Sequence, residues 1–415
     1  MHNIQQLLEQ QLQQLKWSGN YRRFLEIKKS AAHFPRFYYT DEAGQARSAI
    51  NWCSNDYLAM SVNDTVIKSF SFAAYQGGVG SGGTRNISGT TAFHKELEHT
   101  LAQWHGKPDA LLFGSAYMAN ASTLQTLGER IPNLIFISDE KNHASIIEGI
   151  RNSRCQKIIF RHNDTEHLQN ILENLPAQQP RIVVFESVYS ICGSIAPVQQ
   201  ILELASRYHA LTYIDEVHAV GLYGATGAGI CQTLPGHIAP DIINGTLAKG
   251  IGVYGGYIAA NRSITDAIRS FGKGFIFTSS LPPAVCSAAV KSINYIQSND
   301  ALRQNFFNNV QLLRHRLQMQ GIAYQKNQSH ITPIRIGDSR ACKKITDTLL
   351  QQHGIYVQPI NHPTVKQGEA CIRVIISAAH TQDDIEQLCD ALHEVLHQYR
   401  NPVSLNENLL NSNAV

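Results

Sequence analysis

Short apolar segments that alternate with helical stretches constrain the fold of this chain more than any other feature of its sequence. Six segments are apolar along most of their length: residues 110–113, 133–137, 157–160, 181–185, 210–214 and 241–243. Strands of this composition are buried on both faces, as in a parallel sheet covered by helices. The sequence therefore predicts an α/β domain with a mostly parallel central sheet and helices on both faces.

The two ends of the chain have different patterns. Ile4, Leu7, Leu8, Leu12 and Leu15 recur at helical spacing and predict an amphipathic helix that must pack on something. After about residue 300, strands near 330–335 and 370–376 and a helix over 383–397 predict a smaller α+β domain. We therefore expect an N-terminal part over residues 1–58, a large domain over 59–300, a small C-terminal domain over 301–398 and a polar tail over 399–415.

Composition argues against several classes of function. The 415 residues carry a formal net charge of +3 without a dense Lys/Arg tract, so neither nucleic acid nor a membrane surface is expected as a partner. No apolar run reaches the roughly 18 residues that cross a bilayer, and the N-terminus fits neither a signal nor a transit peptide. The eight cysteines include no Cys-x-x-Cys pair, which predicts reduced thiols, a cytoplasmic location and no metal site.

A glycine-rich segment occupies residues 77–89 and contains a formal Gly-x-Gly-x-x-Gly pattern at Gly78, Gly80 and Gly83. A dinucleotide site requires a strand before these glycines, but residues 65–75 have a helical pattern, and a P-loop requires a following Gly-Lys-Ser/Thr. Two interpretations remain: a backbone that passes close to a ligand or a second subunit, or a flexible loop.

Lys249 follows the last predicted strand, and a second glycine-rich run begins at Gly250. We expect Gly245 and Thr246 to turn the chain, which places Lys249 on a tight loop at the carboxyl edge of the sheet, where open α/β sheets bind ligands. A partly desolvated amine has a lowered pKa and can form a Schiff base with an aldehyde. Taken alone, an exposed lysine in a turn is the more common case.

Asp215 directly follows the strand at 210–214, and His218 comes three residues later. A buried carboxylate needs a cationic partner, and a pyridinium nitrogen is one, because an Asp against it keeps the ring able to accept electrons from a carbanion. His218 can then reach the phenolic oxygen of the same ring. A helix N-cap with a nearby structural histidine is the alternative explanation.

Other strand ends carry small or polar residues: Gly114-Ser-Ala-Tyr117, Asn142-His143 and Glu186-Ser187. Small residues at a helix start expose backbone N–H groups that suit a phosphate, and His143 can stack on a flat cofactor. The ends of parallel strands lie at one edge of a sheet, so one shared site explains them better than separate coincidences. Together with Lys249 and Asp215 they predict a pyridoxal phosphate site.

Several long runs of the chain resemble the α-oxoamine synthases, which are fold-type I pyridoxal phosphate transferases, and most of all their 5-aminolevulinate synthase members. The resemblance extends over residues 15–398. Two of the runs are Gly82-Gly-Thr-Arg-Asn-Ile-Ser-Gly-Thr90 and Asp215-Glu-Val-His-Ala-Val-Gly-Leu-Tyr-Gly224, and the others occupy residues 52–58, 142–145, 147–151, 185–190, 274–278 and 354–361.

The resemblance implies a homodimer whose active sites lie at the interface, and it implies roles for individual residues. Lys249, Asp215 and His143 would be catalytic. The cofactor would also contact Ser115, Ala116, Tyr117, Glu186, Ser190, His218, Thr246 and the partner subunit's Thr278. Glycine would bind to Asn55 and Arg373, and the succinyl chain to Arg22, Thr84, Asn86, Ile87 and Thr364.

By the same resemblance the chain would condense glycine with succinyl-CoA and release 5-aminolevulinate, CoA and carbon dioxide, in tetrapyrrole (haem) biosynthesis or a specialised pathway. Lys249 would take the α-proton as general base, and Arg22 would pair with the second carboxylate of the acyl chain. Thr84 supports this substrate, because relatives that use monoacyl-CoAs usually have Ser there.

The chain departs from the 5-aminolevulinate synthase pattern in three places. Ala378-Ala-His380 stands where a Thr-Pro-Ser-Pro run is usual, Ala248 replaces a Gly, and His362 replaces an aromatic or aliphatic residue. The first departure is typical of 2-amino-3-ketobutyrate CoA ligases and 8-amino-7-oxononanoate synthases. The alternatives are therefore a sibling enzyme with another amino acid or acyl-CoA, including the autoinducer-synthase type, and a non-catalytic scaffold protein on this fold.

Overall fold

The computed structural model describes residues 3–236 and 238–400. Within these ranges the strands are β1 (Lys28–Lys29), β2 (Arg36–Thr40), β3 (Ala46–Asn51), β4 (Asp109–Phe113), β5 (Ile135–Asp139), β6 (Gln156–Phe160), β7 (Arg181–Glu186), β8 (Leu211–Asp215), β9 (Ile242–Thr246), β10 (Gly256–Ala260), β11 (Thr332–Gly337), β12 (Ile355–Tyr356), β13 (Pro359–Ile360) and β14 (Ala370–Val374).

The helices of the same ranges are α1 (Ile4–Trp17), α2 (Asp64–Gly77), α3 (Ala92–Trp104), α4 (Ala116–Arg130), α5 (Ala144–Ser153), α6 (Thr165–Glu173), α7 (Val198–Arg207), α8 (Arg262–Phe271), α9 (Lys273–Ile276), α10 (Pro283–Ser298), α11 (Asp300–Met319), α12 (Ser339–His353) and α13 (Gln382–Arg400). None of them is both long enough and apolar enough to cross a membrane.

The chain divides into two units. Of the described residues, the larger unit contains those within Asn55–Ser190 and Ser194–Gln304, and the smaller unit contains residues 3–54, Ile191–Gly193 and residues 305–400. The domain boundaries predicted from the sequence stay a prediction. Residues 401–415 of the predicted polar tail lie outside the described residues.

The larger unit is built on a seven-stranded sheet of order β4-β10-β9-β8-β7-β5-β6. Strands β9, β8, β7, β5 and β6 pair in parallel. β10 pairs antiparallel with both β4 and β9, so β4 runs in the same direction as the parallel set. The prediction of a mostly parallel sheet is confirmed, whereas β10 was not expected from the sequence because it directly follows the glycine-rich run.

Both faces of this sheet are buried, as the apolar strands predicted. On one face Leu111, Val184 and Ile258 pack in a core to which α4, α5 and α8 contribute residues such as Leu124 and Ile146. Residues of the opposite face, including Val183, Ile214 and Ile243, are also buried. The strand positions are therefore determined by apolar burial on two sides.

The expectation that Gly245 and Thr246 turn the chain is wrong. Strand β9 continues to Thr246, which pairs with Gly256 of β10. A Cβ at Gly245 would lie 2.2 Å from Cζ of Tyr257, so only glycine fits within the strand at this point. The turn lies beyond the end of the strand, at Lys249–Gly252, where the Gly252 amide donates to the Lys249 carbonyl at 2.9 Å. Lys249 still lies on a tight loop beyond the strand.

The smaller unit contains two small sheets, β1-β2-β3-β12 and β11-β14-β13. The second is antiparallel, and α12 and α13 contact each other beside it. These elements form the α+β part expected from the C-terminal sequence. Helix α1 begins at Ile4, as its apolar spacing predicted, and none of its residues is buried within the chain.

Candidate active site

The carboxyl ends of the central strands meet at one edge of the sheet. Asp215 of β8 pairs with Glu186 of β7 on one side and with Asn244 of β9 on the other. Two residues further along β9, Thr246 pairs with Gly256. Three of the predicted site residues, Glu186, Asp215 and Thr246, therefore lie along a single edge, as the parallel topology requires.

Neutral donors hold the Asp215 carboxylate, which is 5% exposed. Its Oδ2 accepts from the side-chain amides of Asn120 at 2.7 Å and Asn244 at 3.2 Å, and its Oδ1 accepts from the Val217 amide at 2.8 Å. Tyr213 donates its hydroxyl to Asn120 Oδ1 at 2.7 Å, which orients that amide. The ion pairs of the described residues do not involve Asp215. The site therefore contains a buried carboxylate oriented for a cation.

Lys249 and His218 are in direct contact. The Lys249 Nζ lies 2.8 Å from His218 Nε2, and His218 Nδ1 lies 2.7 Å from the Tyr57 hydroxyl. Tyr57 also donates to Asn55 Oδ1 at 3.4 Å. Two predicted cofactor residues and one predicted substrate residue are thus connected through a tyrosine that the sequence analysis did not single out.

His143 begins helix α5 as its N-cap. Its Nδ1 accepts from the Ser145 amide at 3.2 Å and lies 2.8 Å from Ser145 Oγ. Desolvation by the surrounding protein lowers the pKa of His143, the charge of Lys249 lowers it further, and the charge of Asp215 opposes both effects. The imidazole is therefore favoured in its neutral form, with Nδ1 as the acceptor.

Glu186 is buried beside Asp215. Burial, and then the charge of Asp215, raises the pKa of Glu186 well above its usual value, although the carboxyl group also accepts from the backbone amide of His143. The carboxyl group is therefore favoured in its protonated form. Ser190 lies half-buried, four residues beyond the end of β7.

Ser115, Ala116 and Tyr117 form the start of helix α4, where Ser115 Oγ accepts from the Met118 amide at 3.1 Å. The first backbone N–H groups of a helix have no partner within the helix and favour an anion. Thr246 donates its hydroxyl to the Gly255 carbonyl at 3.2 Å and accepts from the Ala248 amide at 3.1 Å. A Cβ at Gly256 would lie 2.1 Å from the Ala116 nitrogen, so β10 supports this helix start directly.

A second group of predicted site residues lies around the glycine-rich segment of the larger unit: Thr84, Asn86, Ile87 and Thr278. Thr84 forms an isolated bridge with Ser279 and donates its hydroxyl to Asn86 Oδ1 at 2.7 Å. Thr278 donates to the Gly274 carbonyl at 2.7 Å. Ile87 is 81% exposed within this chain. The glycine-rich segment is therefore anchored by Ser279 and Ser280 rather than by the strand that a dinucleotide site would require.

Arg22, Thr364 and Arg373 belong to the smaller unit. Arg22 donates to Thr364 Oγ1 at 3.3 Å, and both line a cavity of about 730 Å³. Arg373 lies on β14, where it is half-buried and pairs with Pro333 of β11. The structure thus brings two of the three residues into direct contact.

The residues of the larger unit fit pyridoxal phosphate. Asp215 is a buried carboxylate that none of the described residues pairs with a cation, Lys249 supplies an amine, and the start of α4 supplies backbone donors for a phosphate. This donor set matches the three polar parts of that cofactor, its ring nitrogen, aldehyde and phosphate.

Some residues at this site were not predicted from the sequence. Tyr57 and Ser145 lie within runs that carried the resemblance, so those runs held a usable signal. Asn120 had none, because a polar residue inside an amphipathic helix is ordinarily taken as exposed. Asn244 lies within an apolar strand, where its amide is buried against Asp215.

Comparisons with known proteins agree with this geometry. The aminotransferase class I and II family matches residues 47–392. The 5-aminolevulinate synthase 1 of Cereibacter sphaeroides is 44% identical over 94% of this chain and 96% of its own length. The 5-aminolevulinate synthase of Rickettsia bellii is 46% identical over 92% of each chain.

Solved structures show the same fold. A serine palmitoyltransferase from S. paucimobilis, solved with bound PLP and myriocin, superimposes with a TM-score of 0.85 and 29% identity over 94% of this chain and 96% of that one. An 8-amino-7-oxononanoate synthase from Francisella tularensis has a TM-score of 0.71 at 23% identity, over 85% of this chain and 99% of that one. Together with the sequence relatives, these matches show that the chain belongs to the aminotransferase class I and II family and, within it, to the 5-aminolevulinate synthases.

Proposed function

We propose that this chain is a pyridoxal phosphate enzyme that condenses glycine with succinyl-CoA and releases 5-aminolevulinate, CoA and carbon dioxide. The contact between Lys249 and His218, at the same sheet edge as the buried Asp215, is the observation that carries the proposal. The chain's identity of 43–46% to 5-aminolevulinate synthases, over more than nine-tenths of its length, supports the choice of substrates.

Lys249 would hold the cofactor, Asp215 its ring nitrogen and His218 its phenolic oxygen, while His143 would lie against the ring. Ser115, Ala116 and Thr246 would hold its phosphate, with Tyr117, Glu186, Ser190 and the partner subunit's Thr278 around it. When bound, pyridoxal phosphate stabilises negative charge on the carbon next to the amino group. Both the loss of a proton and the loss of carbon dioxide then become feasible.

The side chains would move the protons. Lys249 Nζ would take the α-proton of glycine and return a proton to the product as general base and acid. His143, which is favoured in the neutral form, would donate a hydrogen bond to the acyl oxygen without adding a charge. Asn55 and Arg373 would hold the glycine carboxylate.

Arg22 would select a dicarboxylic acyl chain. Its guanidinium reaches Thr364 and forms none of the ion pairs found in the described ranges, whereas its neighbour Arg23 is paired with Glu42. A second carboxylate on the acyl group would satisfy Arg22 through charge-assisted hydrogen bonds. By the resemblance, Thr84, Asn86 and Ile87 would also contact the succinyl chain.

One departure that suggested a sibling enzyme has a structural explanation. The His380 ring stacks on Trp52 with centroids 3.8 Å apart, and its Nε2 lies 3.1 Å from the Asn51 carbonyl oxygen. These contacts explain His380 through the packing of the smaller unit, without any change of substrate. The proposal also includes a homodimer and a cytoplasmic location, which rest on the resemblance and on the scattered spacing of the eight cysteines in the sequence.

A product assay tests the proposal. Purified, cofactor-loaded protein is supplied with glycine and with succinyl-CoA, acetyl-CoA or longer monoacyl-CoAs, and the amino ketone product is identified. We expect 5-aminolevulinate from succinyl-CoA alone. In Arg22→Leu we expect kcat/KM for succinyl-CoA to fall about 10- to 100-fold, because a hydrogen bond to a charged group is lost.

Arg23→Leu is the matched control, since it removes a neighbouring arginine that also lines the cavity but is already paired. It should leave kcat/KM within about twofold, as expected for an exposed ion pair. Turnover of a monoacyl-CoA without use of succinyl-CoA would contradict the proposal.

A further inference from the structure

A row of hydrogen bonds in the larger unit leads from Asp215 to His143. Asn120 donates one amide hydrogen to Asp215 Oδ2 at 2.7 Å and the other to Ser145 Oγ at 3.0 Å. Ser145 Oγ lies 2.8 Å from His143 Nδ1. The row therefore joins the proposed partner of the cofactor nitrogen to the proposed donor to the acyl oxygen. The two residues between them, Asn120 and Ser145, have no role in the proposed function.

Close packing of helices α4 and α5 brings Asn120 and Ser145 together. A Cβ at Gly149, one turn after Ser145, would lie 3.0 Å from the Asn120 carbonyl oxygen and 3.0 Å from the Ala121 Cα. Glycine therefore lets the two helix backbones approach closely at this point. Asn120 is 1% exposed and Ser145 is fully buried, so water does not compete for the hydrogen bond between them.

The direction of each hydrogen bond follows from the carboxylate at one end of the row. An ionised carboxylate can only accept, so the amide nitrogen of Asn120 must face Asp215. Tyr213 supports this orientation, because it donates its hydroxyl to Asn120 Oδ1 at 2.7 Å. Ser145 Oγ accepts the second amide hydrogen, and its own hydrogen is then available to His143 Nδ1.

The start of helix α5 supplies a second donor to His143. The Ser145 backbone amide donates to His143 Nδ1 at 3.2 Å. A neutral imidazole has one donor and one acceptor nitrogen. Two donors at Nδ1 therefore favour the form with the proton on Nε2. A ring held in that tautomer can donate a hydrogen bond through Nε2 without carrying a charge.

We propose that Asn120 is a positioning residue that, through Ser145, holds His143 in the tautomer with its proton on Nε2. Asp215 sets the direction of this relay, since its carboxylate fixes the Asn120 amide. The relay deepens the proposed function, in which His143 donates from that nitrogen to the acyl oxygen. Its effect on the tautomer is a property of the protein alone, and only its kinetic consequence rests on the proposed function.

The tautomer of His143 is measured in the apoprotein by nitrogen NMR of isotope-labelled histidine rings, at a pH where the ring is neutral. The signal is assigned by its loss in His143→Gln. In the wild type we expect the proton on Nε2. In Ser145→Ala the ratio of the Nε2–H form to the Nδ1–H form should fall about 2- to 10-fold, because one neutral hydrogen bond to Nδ1 is lost.

Ser153→Ala is the matched control. Ser153 is also buried and is the last residue of helix α5, and its hydroxyl donates to the Ile150 carbonyl at 2.6 Å. The control removes the same atom from the other end of the same helix. We expect a comparable loss of thermal stability in Ser145→Ala and Ser153→Ala, and an unchanged tautomer ratio in Ser153→Ala.

Asn120→Leu tests the longer relay, since the amide acts on His143 by way of Ser145. The substitution keeps a side chain of similar size and removes the amide. The tautomer ratio should fall about 2- to 5-fold, because the Ser145 hydroxyl is no longer held towards Nδ1. In a Ser145→Ala background the same substitution should not change the ratio further, because the connecting hydroxyl is already absent.

Kinetics give a second readout. In Ser145→Ala the kcat for 5-aminolevulinate formation should fall about 2- to 10-fold, while the KM values for glycine and succinyl-CoA stay within about twofold. A shifted tautomer with an unchanged kcat would support the relay and contradict the donor role of His143 in the proposed function. The NMR experiment needs neither cofactor nor substrate, so failure of the proposed function and failure of this inference are distinguishable.

A wild-type ring with its proton on Nδ1 would overturn the proposal. Equal tautomer ratios in the wild type and Ser145→Ala would also overturn it, and so would a further fall on adding Asn120→Leu to Ser145→Ala. If Asn120→Leu does not fold, Asn120→Ala takes its place with the same expected result.

Discussion

The free energy of unfolding of the smaller unit should depend on pH because of His380. Burial lowers the pKa of His380 to about 4, and the nearby Asp384 opposes this only in part. Its Nδ1 accepts from the Ser377 amide at 2.8 Å, which requires the neutral ring. In the unfolded chain a histidine has a pKa of about 6.5. Between these two values the unfolded state binds more protons than the folded state, so stability falls as the pH falls from about 6.5 to 4.

We predict that His380→Gln removes part of this pH dependence. At pH 5 the depressed pKa of His380 costs the wild type about 2 kcal/mol relative to pH 7.5, and the variant should lose correspondingly less. The measurement is denaturant unfolding at both pH values, followed by tryptophan fluorescence, because Trp52 stacks on His380. His33→Gln is the control, since His33 is exposed in the same unit. Equal losses in the wild type and His380→Gln would show that another group is responsible.

The start of helix α4 depends on the absence of a side chain in strand β10. A Cβ at Gly256 would lie 2.1 Å from the Ala116 nitrogen and 2.3 Å from the Ser115 carbonyl carbon. Both neighbours are backbone atoms, which cannot move without displacing the helix start. The proposed phosphate site therefore depends on the contact between two elements rather than on a single side chain.

We predict that Gly256→Ala displaces this helix start and weakens cofactor binding. Overpacking should lower the unfolding free energy by about 1–3 kcal/mol, and the Kd for pyridoxal phosphate should rise at least about tenfold, because aligned backbone donors are lost. Thermal unfolding and absorbance titration of the apoprotein measure the two effects. Gly236→Ala serves as the control, since a Cβ there meets no atom within 4 Å. Normal cofactor affinity in Gly256→Ala would contradict the proposed phosphate site.

Helix α1 exposes apolar residues that matter for the assembly of the proposed homodimer. Its 14 residues include none that is buried, and Ile4, Leu8 and Trp17 are exposed within this chain. A helix of this length is marginal in water unless an apolar face is packed. A second copy of the chain, as proposed for the homodimer, would supply the missing surface.

We predict that the double substitution Leu8→Gln with Leu12→Gln weakens the homodimer without unfolding either unit. Sedimentation velocity at several protein concentrations should show a shift towards monomer, while circular dichroism at low temperature stays nearly unchanged. Gln6→Ala with Gln10→Ala, on the polar face of the same helix, should leave the assembly unaffected. A wild-type protein that sediments as a monomer at every concentration would contradict the proposed homodimer.

Much of the fold was predictable because the relevant signals are local. Strands such as β7 and β8 are continuous apolar runs, and a strand buried on both faces must have that composition. The residue after such a strand lies at the carboxyl edge, so Asp215 and Lys249 could be assigned to one edge from their positions alone. The composition of β10 gave no comparable indication. Its antiparallel place between β4 and β9 depends on how the strands of the whole sheet pair, which a local run of residues does not specify.

The sequence by itself therefore determined the family, the alternation of strands and helices, and the chemical groups at the sheet edge, since each of these is encoded in a short contiguous run. Only the tertiary structure decided how those groups are paired. Tyr57 meets His218 across 161 positions of the chain, and Arg22 meets Thr364 across 342. Asn120 and Asn244 come to the same carboxylate from a helix and a strand. Such contacts depend on how distant elements pack, and no local propensity specifies that packing.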